Sequence, residues 1–185
     1  MKKIAISILI GILITTSVVS FGEGLSEELA EDIVRLHIVA NSDSETDQSV
    51  KLKIRDKILE EMKNFSEIEE IGDNLAFFED VANSVLQREG LPYKAKAHFG
   101  IFQFPTKYYD GFALPKGEYT ALKIDLGDGA GQNWWCVLFP PLCMVDAATE
   151  DFDLLLKTTF KDNYSVVSDN ENIQFKIEFK LAELF

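Results

Sequence analysis

The chain is short of the residues that most metal and acid–base sites are built from: 185 residues hold two histidines and two cysteines. His37 and His98 each stand alone inside a strand-like pattern, with no second ligand at zinc-motif spacing, so a site built from them with Cys136 and Cys143 is disfavoured. Basic residues are also scarce, 18 Lys and Arg against 31 Asp and Glu, for a formal charge of −13. Such a surface repels phosphate backbones and anionic lipid heads, which disfavours nucleic acid and membrane-surface binding. Internal repeats and low-complexity tracts are absent. Gly127, Gly129 and Gly131 lack the spacing of a dinucleotide fingerprint and no helix pattern follows them, so they read as a turn. One apolar run exists, Ile4 to Val19, short of the about 20 residues a membrane span needs.

That run, preceded by Lys2 and Lys3 and followed by small residues at Ser17, Ser20 and Gly22, has the layout of a secretion signal. Residues 1–22 are therefore expected to be a signal peptide, or else an uncleaved anchor, and the remainder extracytoplasmic. Losing Lys2 and Lys3 with no acid moves the charge from −13 to −15. A short acidic linker is expected over 23–32, and a single domain over 33–185, long enough for one core.

Within that domain, residues 33–40 are rich in β-branched side chains and read as a first strand, with Leu36, Ile38 and Ala40 on one face and Arg35, His37 and Val39 on the other. Asn41, Ser42 and Asp43 interrupt it and are expected to shape the strand-to-helix corner, and Ser44 with Asp47 resembles a capping box. Apolar spacing predicts helices over about 45–64 and 73–88, the second closed by Gly90 and Pro92. Alternation then predicts strands over 93–104, 118–126 and 134–139, a loop over 105–117, and a further strand over 173–179 with a helix starting at Leu181. The expected class is α+β: two amphipathic helices packed on one face of a mostly antiparallel sheet.

The densest segment is residues 133–143, which holds both tryptophans, both cysteines and two of the five prolines. Trp134 and Trp135 must face opposite sides of a strand, so each is open to core packing or to partner contact. Tyr108, Tyr109 and Phe112, in the predicted loop, are surface candidates. Cys136 and Cys143, the only cysteines of an exported chain, are expected to form a disulfide around Pro140-Pro141, the alternative being two buried thiols. Cys136 as a nucleophile with His37 or His98 as base is the enzyme reading. Asp43 and Asp47, as helix-start acids, fit the dipole as well as they fit acid–base chemistry.

Arg35-Leu36-His37-Ile38-Val39-Ala40-Asn41-Ser42-Asp43-Ser44, with Leu114-Pro115-x-Gly117-Glu118-Tyr119 and Asn133-Trp134-Trp135-Cys136-Val137-Leu138-Phe139-Pro140-Pro141-Leu142-Cys143, resembles the conserved blocks of the stage II sporulation protein R family. The likeness runs from about Ile33 to Val145. It implies a protein of endospore formers, made in the forespore and secreted into the space between forespore and mother cell. There it would activate a membrane-embedded aspartic protease of the mother cell, from its extracytoplasmic side, so that pro-sigma-E is processed. Action by contact is expected, with no cofactor and no small-molecule substrate; the alternative is an extracytoplasmic thiol hydrolase using Cys136. Candidate contact residues are Asn133, Trp134, Trp135, Phe139, Pro140, Pro141, Asn41, Ser42, Asp43, Tyr108 and Tyr109.

Overall fold

A strand buried on both faces organises the molecule, a computed structural model that describes residues 2–31, 33–65, 67–145 and 147–168. This strand, β1 (Val34–Val39), lies inside a four-stranded sheet of order β2-β5-β1-β6. It runs parallel to β5 (Gly117–Leu126), pairing Arg35 with Ala121, and antiparallel to β6 (Asn133–Phe139), pairing His37 with Trp135. β2 (Ala95–Phe104) pairs antiparallel with β5 from Ala95–Leu126 to Phe104–Gly117. The sheet is thus mostly antiparallel, and the class is α+β as expected.

One face is covered by α2 (Glu45–Glu61) and α4 (Leu75–Arg88). Ser44 Oγ caps α2 by accepting the Asp47 N–H at 3.1 Å, while Glu45 and Asp47 place acids in the first turn, where the helix dipole favours them. Val50, Ile54 and Ile58 of α2, with Phe78, Ala82 and Leu86 of α4, close a first core over Leu36, Ile38, Leu122 and Ile124. Where a single helix was expected from residue 73, a short α3 (Ile68–Asp73) precedes α4, separated from it by Asn74. Gly90, at φ +71°, ends α4.

The second face departs most from expectation. Residues 105–117 do not form a plain loop: β3 (Lys107–Tyr109) and β4 (Phe112–Leu114) make a hairpin about Asp110-Gly111, with Gly111 at φ +80°. α5 (Glu150–Phe160) and α6 (Tyr164–Val167) join it, so helices cover both faces of the sheet. Their second core gathers Phe112, Leu114, Tyr119, Val137, Phe152 and Leu156. The chain enters along α1 (Lys2–Glu31), helical through the stretch read as a linker, and Leu29 is buried in this second core. Among the described residues, no helix is long and apolar enough to cross a membrane. The strand expected over 173–179 and the helix expected from Leu181 lie outside the described residues.

Candidate functional site

Alternation along β6 sends its two tryptophans apart, as predicted for adjacent strand residues. Trp134 faces the first core, with the Arg55 guanidinium 4.4 Å from its ring centroid, a cation–π contact from α2. Trp135 turns to the second face, stacked on His37 with centroids 3.8 Å apart and planes 14° apart, and edge-on to Phe104 at 4.8 Å. His37 Nε2 lies 2.7 Å from Asn133 Oδ1, which fixes the ring in place. Burial pushes the His37 pKa below its ordinary value, against the Asn133 contact, so the ring is neutral near pH 7.

Beside His37, on the same face of β1, sits Arg35, fully buried. Its guanidinium carbon lies 4.2 Å from the Phe104 centroid and 4.8 Å from that of Tyr119, and Nη2 donates to the Tyr109 hydroxyl. Nε and Nη1 have no hydrogen-bond partner, and no acid pairs with it among the described residues. Burial lowers its pKa, with Tyr109 and Tyr119 opposing.

Of these side chains, Tyr109 and Trp135 line an open groove of about 520 Å³ between the hairpin and β6, and Arg35 and His37 pack behind them. Lys107, Tyr108, Asn133, Trp135, Cys143 and Phe152 are among its lining residues. Tyr108 is 56% exposed, whereas Tyr109 stacks on Phe112 at 4.6 Å and serves as wall; Phe112, expected at the surface, is buried because the hairpin turns it into the second core. Lys107 Nζ lies 5.8 Å from the Trp135 ring, and with Asp110 it gives the mostly apolar lining one charge of each sign.

Cys136 and Cys143 are joined in a disulfide, with Cα atoms 6.3 Å apart, inside the usual bridging range. Cys143 Sγ also accepts the Val137 N–H at 3.1 Å, tying the 3-10 turn Leu142–Met144 to the outer side of β6. Replacing both cysteines by alanine is expected to lower stability by about 2–3 kcal/mol, because so short a loop removes little chain entropy. Thermal melts of the double variant, and of the parent with and without reductant, measure this. Intact mass after alkylation under denaturing, non-reducing conditions should show no added groups.

The sequence-predicted residues therefore part company. Asn133, Trp134, Trp135, Tyr108 and Tyr109 meet at the groove. Phe139, Pro140 and Pro141 are half-buried outside its lining, Phe139 against the first core. Asn41, Ser42 and Asp43 lie at the corner between β1 and α2, engaged internally. Asn41 Nδ2 and Ser42 Oγ donate to Asp47 Oδ2 at 2.9 and 2.6 Å. Asn41 Oδ1 accepts the Asp128 N–H and Asp43 Oδ1 the Gln132 N–H, at 3.0 and 2.8 Å. Gly131 packs so closely there that a Cβ would lie 2.3 Å from Ser42 O. Arg35, His37 and Lys107 were not among the expected contact residues. Their signal was present only as polar residues at alternating β1 positions and a lysine beside two tyrosines.

The chemistry of a thiol hydrolase is not assembled. Cys136 is buried, bonded to Cys143, and belongs to the first core, whereas His37 lies on the opposite face of the sheet. His98 is 3.6 Å from Asp125 and half exposed. Among the described residues, no three His, Cys, Asp or Glu side chains are gathered as metal ligands would be. What the described residues gather here is an open groove with Tyr108, Tyr109, Phe112, Trp135 and Phe152 in its lining.

The model of the stage II sporulation protein R family matches residues 30–149. A curated relative of that name from Bacillus subtilis (strain 168) is 41% identical over 126 residues, covering 64% of this chain and 56% of the relative. This chain thus matches little more than half the length of that relative. No solved structure matches. The matched residues include β1, the corner, the groove-forming hairpin and β6, and the chain belongs to the stage II sporulation protein R family.

Proposed function

We propose that this protein is an exported signal of sporulation that acts by contact. It engages the extracytoplasmic side of a membrane-embedded aspartic protease in the mother cell and so promotes processing of pro-sigma-E. The observation that carries this reading is the groove between the β3–β4 hairpin and β6. Its aromatic walls are held by the Trp135–His37 stack and the disulfide, and no nucleophile–base pair accompanies them. A pre-ordered aromatic surface loses little conformational freedom on binding, and Tyr and Trp are the residues most often found at binding hot spots. Activation follows only if the groove binds the active form of the protease more tightly than the inactive one, since equal affinity shifts no equilibrium.

Tyr108→Ala removes an exposed groove group and Lys107→Ala a half-buried one, neither of them part of a core cluster. Each is expected to weaken co-purification with the protease about tenfold or more, and to reduce pro-sigma-E processing in step, while leaving the melting temperature near that of the parent. Unchanged co-purification and processing in the double variant would reject the groove as the contact surface. A form beginning at Glu23 and kept in the forespore cytoplasm should fold yet fail to signal. If it still drives processing, the exported-signal reading fails.

A further inference from the structure

The sheet has a second open edge, on β2, far from β6 in strand order. In an antiparallel ladder, alternate residues turn N–H and C=O away from the partner strand. On β2 these are Ala95, Ala97, Phe99, Ile101 and Gln103. α4 seals the first two: Asn83 Oδ1 accepts the Ala95 N–H at 2.9 Å, Asn83 Nδ2 donates to Ala95 O at 3.3 Å, and Glu79 Oε2 accepts the Ala97 N–H at 3.0 Å. Two side chains here do what a neighbouring strand would do. Beyond them the sealing stops, and the outward backbone groups of Phe99, Ile101 and Gln103 have no partner among the described residues.

The side chains at this open half mark it further. Ile101 is 69% exposed, the highest value for a large hydrophobic residue among those described. Exposed edges of this kind are usually blunted by charge, proline or a bulge, and residues 99–103 carry none of these. The flanks are acidic. α3 rests on Phe99 through Gly72, where a Cβ would lie 3.0 Å from the Phe99 ring, and it carries exposed Glu69, Glu70 and Asp73. Glu118 lies opposite Gln103 and accepts its side-chain N–H at 2.8 Å. Lys96 belongs to the other face of the sheet.

We propose that residues 99–103 of β2 form a strand-addition site for an extended, basic segment of a partner protein. The unpaired backbone groups require an extended chain, Ile101 takes an apolar residue opposite it, and the acids of α3 and Glu118 select lysine or arginine around that residue. This surface is separate from the groove, and either one can fail without the other.

The test uses the full chain and a hexapeptide alternating lysine and valine, with hydrogen exchange of individual amides as readout. The Phe99, Ile101 and Gln103 amides are expected to slow by about tenfold or more with the peptide. An alternating glutamate–valine peptide should protect them far less. Ile101→Pro removes an outward N–H together with the exposed Ile101 side chain and leaves the bonds to β5 in place, and Gly100 tolerates the proline that follows it, so this variant should fold and lose the effect at Phe99 and Gln103. If it does not fold, the lysine–valine peptide methylated on alternate backbone nitrogens replaces it: it keeps the charge and should give no protection. Unchanged exchange at the three amides, or protection appearing instead at Asn133 and Trp135, overturns the proposal. So does equal protection by the acidic peptide, or protection that rises with protein concentration alone, which would indicate a second copy.

Discussion

Replacing Asp47 by alanine is expected to lower the unfolding free energy by about 3–4 kcal/mol, a large effect for one helical side chain. The carboxylate is only 5% exposed and accepts bonds from Asn41 Nδ2, Ser42 Oγ and the Tyr93 hydroxyl, while Ser44 Oγ holds its backbone N–H. Removing it strands three donors in a confined corner. Damage then spreads, because Asn41 and Asp43 also fix the turn between β5 and β6 through the Asp128 and Gln132 amides. Burial pushes the Asp47 pKa up, but the bonds from Ser42, Tyr93, Asn41 and Ser44 outweigh it and bring it to about 2. The folded-state pKa lies below the unfolded value of 3.8, so the stabilisation is present above that value and fades as pH falls toward about 2. That acid limb amounts to about 2–3 kcal/mol. Urea unfolding from pH 6 to pH 2 measures it, and Asp47→Asn should flatten the limb. A limb of unchanged depth in the variant would assign it to other carboxylates.

Arg35→Met is expected to work in the opposite direction, raising stability by about 1–3 kcal/mol while weakening signalling. Arginine stays charged in proteins, so this side chain brings a cation into the second core with Nε and Nη1 unpartnered. The Phe104 and Tyr119 faces and the Tyr109 hydroxyl offset part of that desolvation. Methionine keeps the length and sheds the charge. Chemical denaturation paired with a processing assay separates the effects: a destabilised variant would mean the aromatic cage more than compensates the cation, and full signalling would place Arg35 outside function. The first outcome, together with lost signalling, would identify Arg35 as an ordinary structural residue.

Elements with a sustained period were legible from the residues alone. β1, α2, β2, β5 and β6 stand within a few residues of where alternation or 3.6-residue spacing placed them. The hairpin was missed because each strand is three residues long, too short for alternation to register. Its one clear local signal was Asp110-Gly111 at the turn. α5 was missed although Thr149, accepting the Phe152 N–H at 3.3 Å, and Glu150, Asp151 and Asp153 mark a helix start. Losing the second face had a consequence for the site. Without the hairpin and α5, the Arg35–His37 face of β1 reads as the polar, outward one, whereas it is the wall behind the groove. The cysteine pair was legible from its count and from the export expected of the chain, two cysteines being the number one bridge uses. The corner role of Asn41, Ser42 and Asp43 was legible, but the amides that Asn41 and Asp43 hold were not, because Asp128 and Gln132 lie more than eighty positions away.

The boundary of the family match has a consequence for how the protein is divided. The match stops at residue 149, and α5 begins at Glu150. Phe152, Leu156 and Phe160 therefore cover a core whose other half, Phe112, Leu114 and Val137, lies within the shared region. A fragment cut at the shared boundary would leave that half facing water, so the common portion is not a self-sufficient folding unit. Cutting the chain after residue 149 is therefore expected to lower its melting temperature sharply and to open the groove as well, because Phe152 of α5 both closes this core and lines the groove.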